Sequence, residues 1–529
     1  MKYLQSFPLH HVFFAAYPVI ALLAHNIEQV RPSQAQRALV VAVVGSIACF
    51  LFLKLLLREW RKAALGCTVF VVMFFSYGHI YDLLRQLGGL AEAIGRHRYL
   101  LPIWLLAFGI GLWWIRSRLR DVTLITLALN IAAVATVVLP TIRIVVFEAR
   151  FQAVQSSTVK QDIGECDVSI DPEATPPDVY YIILDAYTSG DTLRDVYGFD
   201  NSAFLDNLRE MGFYIAPGSQ SNYGVTGLSL SASFNMNYLD KLDESFSQPD
   251  TADWMPLWPL LTRGIARRNL ECLGYKVITF DTGYYWSGWR DADVFFDPSS
   301  TALTKFERAG GVNAFESMLI ESSAGLVITD AATLMPDFLK QAIEGPYREH
   351  RALILYQLDS LEKVVPGLEG PKLVFAHILV PHPPFVFGAD GEEVDQSGAF
   401  TLGGTNEEMP FEERAAMYIG QVKFINQRIS LIVEEILERS EPPPIIILQG
   451  DHGLDGPLSS QMAILNAYYL PEGGDQHLYE TVSPVNTFRI IFDHYFGGSY
   501  GLIEDISYYS RHVDPFNFIL VPNEFSTHE

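Results

Sequence analysis

Cysteine is scarce in this chain of 529 residues: there are four, at positions 49, 67, 166 and 272, and no Cys-x-x-Cys pair. That excludes a disulfide-built scaffold, a zinc ribbon and a thioredoxin-type redox motif. Cys49 and Cys67 fall in apolar runs and read as small buried hydrophobes. Whether Cys166 and Cys272 pair is left open by the sequence. Basic residues are also few, 37 Lys and Arg against 61 Asp and Glu, for a formal charge of −24. The deficit is uneven. Residues 1–150 hold fifteen basic and six acidic residues, and the remainder holds twenty-two and fifty-five. So acidic a C-terminal portion, with no basic stripe, would repel a phosphate backbone, which argues against a nucleic-acid partner. The chain shows no internal repeat and no low-complexity tract.

What the first 150 residues do have is apolar length. Five runs stand out: Val12–Leu23, Ala38–Leu57, Ala64–Ile80, Leu100–Ile115 and Val122–Phe147. The second and fifth suit a bilayer span best, and the first is short. Four later runs exclude a cleaved signal peptide followed by soluble protein. Tyr99, Trp113 and Trp114 lie near run ends, where interfacial aromatics belong. With the N-terminus inside, the cytoplasmic segments carry Lys2, then Lys54, Arg58, Arg61 and Lys62, then Arg116, Arg118 and Arg120. The outer loops carry Arg31, Arg37, Arg85, Arg96 and Arg98. The basic excess therefore predicts five spans with residues 151–529 on the outer side.

Residues 151–177 are mostly polar, end in DPEATPP and read as a juxtamembrane linker. Beyond them come Val179–Leu184 (VYYIIL), Lys276–Phe280 (KVITF), Leu373–Leu379 (LVFAHIL) and Ile445–Leu448 (IIIL). Such short, nearly continuous apolar runs suit central parallel strands covered on both faces. Between the last two, Ile419, Val422, Ile425, Ile429, Ile432, Val433 and Ile436 recur at helical spacing, and Pro442–Pro444 stop the helix. This alternation predicts an α/β domain with a mostly parallel sheet. Asn466–Pro471 and Ser483–Arg489 read as late core strands and turns.

Ser221–Leu239 reads as a turn and then a helix, with Thr226 at the junction, placed to cap the first turn or to serve as a nucleophile beside anion-binding amides. A threonine hydroxyl needs a base or a metal to react. In open α/β sheets, ligands gather at the carboxyl ends of the strands. There Asp185 follows VYYIIL, Asp451 and His452 follow IIILQG, His377 sits inside LVFAHIL, and His382 comes five residues later. Two carboxylates, a histidine and a threonine oxygen make a plausible nitrogen–oxygen site for zinc or manganese. His377 and His382 are candidates for holding a phosphate, protonating a leaving group or completing a second metal site. Taken singly each residue has a plain alternative: Asp185 a turn residue, Asp-His-Gly a turn whose Gly453 supplies backbone freedom, His382 a loop histidine.

The order LDAYTSGDTL, NYGVTGLSLSASFNMNYL, FAHILVPHPPF and LQGDHG resembles the sulfatase-like branch of the alkaline phosphatase superfamily. Membrane spans ahead of such a domain resemble the lipoteichoic acid synthases and the lipid A phosphoethanolamine transferases. The resemblance implies Thr226 as a nucleophile that becomes covalently modified, with Asp185, Thr226, Asp451 and His452 on the metal and His377 and His382 toward substrate. Asp185 stands where those two families have glutamate, keeping the charge and shortening the reach. The stretch TGLSL lacks the Cys-x-Pro-x-Arg or Ser-x-Pro-x-Arg pattern that formylglycine sulfatases need, so sulfate-ester hydrolysis by that chemistry is not expected.

The expectation is a five-span helical domain over 1–150, a linker over 151–177 and an extracytoplasmic sulfatase-like α/β domain over 178–529, set in a bacterial inner membrane. It would act as a metal-dependent phosphotransferase, moving phosphoethanolamine or phosphoglycerol from a phospholipid donor to an envelope glycan or glycolipid. The alternatives are a phosphodiesterase or phosphatase of the same fold, and a non-catalytic envelope scaffold. Asp240–Arg268, Gly283–Gly345 and Gly388–Pro410 are expected to form the substrate-facing rim, where Trp286 and Trp289 are candidates to stack on a sugar or contact lipid.

Overall fold

The computed structural model describes residues 7–159, 167–247, 253–284, 286–298, 311–330, 344–394, 400 and 409–523. Cys166, part of the linker and parts of the expected rim lie outside these. The chain divides into two compact units. One comprises residues 1–152, 306–347 and 396–402, and the other residues 153–305, 348–395 and 403–529.

In the first unit the apolar runs become helices: α1 (His10–His25), α2 (Pro32–Leu57), α3 (Trp60–Leu87), a short α4 (Gly89–Gly95), α5 (His97–Ser117) and α6 (Thr123–Val159). Pro32 opens α2 at a position where a missing N–H costs nothing, and Arg58 ends it in a left-handed conformation with φ of 57°. Among the described residues four helices, α2, α3, α5 and α6, are long and apolar enough to cross a membrane. The first run gives only a sixteen-residue helix, about 24 Å at 1.5 Å per residue, short of a hydrocarbon core of about 30 Å. Polar contacts hold it in place. Asn130 of α6 accepts the His10 N–H at 2.8 Å and donates to the Phe7 carbonyl at 2.8 Å, so it caps α1 from another helix. His11 Nδ1 lies 2.8 Å from Ser46 Oγ. Ala15, Leu53, Ala63, Cys67 and Val71 pack behind these contacts. Cys49 and Cys67 are free thiols, whereas Cys272 of the other unit is disulfide-bonded.

Residues 311–330, expected on the soluble rim, belong to this helical unit. Their helix Ala314–Glu321 begins with a reciprocal Asn313–Glu316 capping box. The spacing of Phe315 and Ile320 shows that a helix forms; it does not show what the helix packs against.

The second unit is built on seven strands in the order β2-β7-β6-β1-β5-β3-β4. They are β1 (Val179–Leu184), β2 (Tyr214–Ile215), β3 (Lys276–Phe280), β4 (Val294–Phe296), β5 (Lys372–Ile378), β6 (Ile445–Gly450) and β7 (Asn466–Tyr469). The run β6-β1-β5-β3-β4 is parallel, and β7 and β2 add on antiparallel. β1 lies between two parallel neighbours and all six of its residues are buried, which is why its sequence is apolar without alternation. Each fully buried apolar side chain there contributes about 1.5–3 kcal/mol. One sheet face, with Tyr181, Ile183 and Phe375, packs on Phe234 of α7 (Thr226–Asn235) and on Phe488. Two long helices follow, α8 (Gly345–Lys363) and α9 (Phe411–Arg439).

Phe488 corrects one expectation. Ser483–Arg489 opens helix α10 (Pro484–Tyr495) rather than a strand. Pro484 takes the first helical turn, and Val485, Phe488, Ile491 and Phe492 form a buried stripe at helical spacing. A C-terminal hairpin, β8 (Ser507–Arg511) with β9 (Asp514–Val521), completes the unit. Tyr508 N–H donates to the Asn222 carbonyl at 2.9 Å and Gly224 N–H to the Tyr508 carbonyl at 3.2 Å, bracing the loop that leads into Thr226.

Candidate metal and catalytic centre

Strand register brings the two acids together. β1 and β6 are adjacent and parallel, with Leu184 opposite Gly450. Asp185 and Asp451 are the next residues of each strand, so two carboxylates leave the sheet side by side. β5 flanks β1 on its other edge with His377 opposite Ile183. Ile183 and Asp185 share a face, since side chains alternate. His377 Nε2 accordingly reaches Asp185 Oδ2 at 3.1 Å.

The turn after β1 is strained. Ala186 has φ of 59°, a left-handed conformation that costs a residue with a Cβ about 1–2 kcal/mol. Its neighbours enforce it: the Ala186 N–H donates to Asp451 Oδ1 at 2.9 Å, and its carbonyl accepts from Tyr418 at 2.7 Å. After β6, glycine is required by close approach. A Cβ on Gly450 would stand 2.1 Å from the Tyr187 carbonyl, and one on Gly453 2.7 Å from the Ser460 carbonyl. Gly453 therefore provides clearance rather than the backbone freedom expected of a turn.

Thr226 is the first residue of α7, and Val225 holds the capping position with no side-chain bond. Its hydroxyl therefore does not cap the helix. It lies 3.2 Å from His452 Nε2. The other ring nitrogen, Nδ1, is 2.7 Å from the Gly453 carbonyl, so it carries the proton and donates. In the neutral ring Nε2 is then the lone-pair nitrogen, and the threonine hydroxyl donates to it. The same Nε2 is 3.7 Å from Asp185 Oδ1 and 3.6 Å from Asp451 Oδ2. Those two oxygens are buried without a hydrogen-bond partner, as is His377 Nδ1.

Two buried, unpaired carboxylate oxygens facing a histidine lone pair are costly unless a cation joins them. Asp185, Asp451 and His452 each offer one ligand atom, all within 4.8 Å of one another. Ligands on one divalent ion with bonds of about 2.0–2.1 Å stand about 3.3 Å apart when tetrahedral, and His452 Nε2 lies 3.2, 3.6 and 3.7 Å from the other three oxygens. The donor set thus fits a divalent ion. Electrostatics agree in direction. Burial pushes the Asp185 pKa up, but the charge of His382, the hydrogen bond and charge of His377 and the charge of His452 outweigh it, so Asp185 stays ionised. For His452 burial opposes the charged form, and Asp451 and Asp185 more than compensate, raising its pKa.

His382 sits in the loop after β5. Its N–H donates to the Asp185 carbonyl at 3.0 Å, its Nδ1 pairs with the Pro383 carbonyl, and its ring centroid is 6.2 Å from that of His452. All six candidates therefore gather on one rim of the sheet. The two tryptophans separate. Trp289 is 1 % exposed and stacks on Phe375 in the core, whereas Trp286 lies 6.1 Å from His377 and stacks on Tyr284. Sequence reasoning missed His350. It is buried on α8, and its pKa is lowered to about 3, first by burial and then by the charge of His382. A lone histidine on an amphipathic helix gives no signal of that placement.

The fold and rim describe a membrane-anchored α/β protein with an Asp–Asp–His cluster beside a helix-borne threonine. No family model matches the chain, and no curated protein does. Among solved structures it is similar to the integral membrane lipooligosaccharide phosphoethanolamine transferase A of Neisseria meningitidis: 13 % identity, 93 % of this chain and 95 % of that one covered, TM-score 0.37. It is also similar to the periplasmic domain of EptC from Escherichia coli in complex with Zn: 12 % identity, 67 % and 95 % covered, TM-score 0.39. For the periplasmic domain of the phosphoethanolamine transferase EptC of Campylobacter jejuni the values are 11 %, 61 % and 88 %, and 0.34. These are distant likenesses, and the reading of the site stands on its own geometry.

Proposed function

We propose that the protein is a metal-dependent phosphotransferase of the sulfatase-like type, with Thr226 as nucleophile and a phospholipid as donor. The observation that carries this is the placement of the Thr226 hydroxyl. It sits 3.2 Å from His452 Nε2, at the first turn of a helix, beside two unpaired carboxylate oxygens. A divalent ion, zinc or manganese, held by Asp185 Oδ1, Asp451 Oδ2, His452 Nε2 and Thr226 Oγ1 would lower the hydroxyl pKa and polarise a phosphoryl oxygen.

The chain's own groups supply the rest. The Leu228 and Ser229 N–H groups both donate to the Val225 carbonyl, which leaves those of Thr226 and Gly227 to suit the phosphoryl oxygens. The threonine oxygen, its own proton having passed to water, attacks phosphorus; the P–O bond to diacylglycerol breaks, and the diacylglycerol oxygen takes a proton. In this proposal His382, whose ring centroid is 6.2 Å from that of His452, gives that proton and, in the second half, takes one from the acceptor hydroxyl. His377 holds Asp185 in orientation. An envelope glycan or glycolipid is the acceptor, and the anchor keeps the site near lipid headgroups, in an inner membrane with this domain on the periplasmic side.

Intact-mass spectrometry after incubation with phosphatidylethanolamine and, separately, phosphatidylglycerol tests this. A headgroup-sized adduct mapping to Thr226, absent from Thr226→Ala, is expected and names the donor. Headgroup release into water without adduct or transfer favours a hydrolase. Retention of function by Thr226→Ala, with no bound metal, favours a scaffold.

A further inference from the structure

The acidic C-terminal portion carries a segment that does not fold with it. Residues 311–330 pack on α1, α2 and α3, and each of the polar contacts is specific. Arg37 forms an ion pair with Glu316, donating Nε to Oε1 at 2.6 Å and the terminal nitrogen to Oε2, and also reaches the Gly311 carbonyl. Asn313 Nδ2 donates to the Gln34 carbonyl at 3.0 Å, and the Ala324 N–H to the Phe74 carbonyl at 2.7 Å. Gly78 makes room for this approach, since a Cβ there would stand 2.2 Å from the Glu321 carbonyl. Phe315 is fully buried and Leu326 nearly so, whereas Ile328 is 54 % exposed.

The level of these contacts can be placed. Below Arg37, α2 is apolar from Ala38 to Leu57 except for Lys54 in its last turn, whose long side chain reaches to the opposite edge. At 1.5 Å per residue that stretch spans about 30 Å, one hydrocarbon thickness. Arg37 therefore marks one edge of the core. On the antiparallel α3, which leaves the opposite edge at Trp60, Phe74 and Gly78 lie about 21 and 27 Å along the helix, hence about 9 and 3 Å inside the same edge of a core of about 30 Å. Val40, Val41 and Val44 on α2 are all exposed, forming a lipid-facing surface next to the segment. A solvent-facing loop has no reason to donate a backbone N–H to a mid-helix carbonyl at that depth. A segment lying in the interface does, because each polar group that enters it must be paired.

We infer that residues 311–330 form a membrane-interface element whose partner is the lipid of the outer leaflet, with Ile328 in the acyl boundary. The ion pair Arg37–Glu316 anchors one end and the Ala324–Phe74 hydrogen bond the other. The segment is thus part of the membrane unit, although it lies in the chain more than 150 residues beyond α6.

Collision-based spin-label accessibility tests this on the full chain in bilayer nanodiscs of phosphatidylethanolamine and phosphatidylglycerol. A nitroxide is carried on Ile328→p-acetylphenylalanine, with Val44→p-acetylphenylalanine as lipid-facing reference and Glu434→p-acetylphenylalanine as water-facing reference. The inference expects oxygen to dominate over the nickel chelate at 328, as at 44. A profile at 328 matching that at 434 overturns it. Should the Ile328 variant fail to fold, the label at Thr329 reads the same boundary. Arg37→Ala is expected to move the 328 label toward nickel accessibility; an unchanged profile in that variant would overturn the anchoring role of the ion pair.

Discussion

Replacing Asp451 with Asn should change stability in opposite directions with and without metal. The substitution is isosteric, and Oδ1 keeps the Ala186 N–H that it accepts at 2.9 Å. It removes the charge on Oδ2, which has no partner and faces Asp185 across a cluster whose ligand atoms lie within 4.8 Å. Two unit charges at that separation repel by about 3.5 kcal/mol at an effective dielectric of about 20. The histidines around Asp185 offset part of this, leaving about 1–3 kcal/mol. In a chelated sample Asp451→Asn should therefore raise the melting midpoint by roughly 2–12 °C over wild type, at about 2–4 °C per kcal/mol for a domain of a few hundred residues. In a zinc-saturated sample the order reverses, because an ion at a hundred times its dissociation constant adds about 2.7 kcal/mol to wild type and much less to a variant missing a ligand. The assay is tryptophan fluorescence against temperature on purified protein, in EDTA and after zinc is restored. An equal loss of midpoint in both conditions would refute the reasoning, since Asp451 would then be an ordinary structural carboxylate.

Other consequences are narrower. Thr226→Ser should keep adduct formation within about one order of magnitude, since the oxygen remains at the first turn of α7, whereas Thr226→Ala should abolish it; mass spectrometry reads both. Gly453→Ala places a Cβ 2.7 Å from the Ser460 carbonyl, so the Asp451–His452 turn must move. Zinc stoichiometry should fall, with a stability loss of about 1–3 kcal/mol. His350 is held neutral, its pKa lowered from 6.5 to about 3. Between those values the unfolded chain binds a proton that the folded one refuses, so stability falls as pH drops from 6.5 toward 3. Replacing His350 by Gln should flatten that part of a denaturation profile measured against pH.

Much of the sheet was legible because burial on both faces leaves a direct trace. VYYIIL, KVITF and the apolar core of LVFAHIL have no polar alternation, and all three are strands of the parallel run. Their order was not legible. Nothing local says that β1 lies between β5 and β6, and that neighbourhood alone makes Asp185 and Asp451 adjacent. The C-terminal hairpin was missed because its bracing role depends on Asn222 and Gly224, some three hundred residues earlier in the chain. Residues 311–330 read as rim for a related reason: Phe315, Leu319 and Ile320 show that a helix has an apolar side, and only tertiary contacts show that α1 and α2 cover it.

The places where local rules fail converge. Valine is among the poorest helix caps, and replacing a good cap by such a residue costs about 1 kcal/mol, yet Val225 occupies the cap of α7. A threonine in that position would spend its oxygen on a backbone amide of the same helix. One residue later, the oxygen of Thr226 is left for His452. Alanine is a poor choice for a left-handed turn, yet Ala186 adopts one and so carries its N–H to Asp451. Two adjacent carboxylates are a poor way to end neighbouring strands, yet both are buried with one oxygen each unpaired. Each departure costs about 1–3 kcal/mol, and stability alone would have removed any of them with one substitution. All three act on the same group of atoms, the donors around His452 Nε2. Strain scattered over a fold would reflect drift; strain collected at four donor atoms is what the proposed cation site beside Thr226 would require.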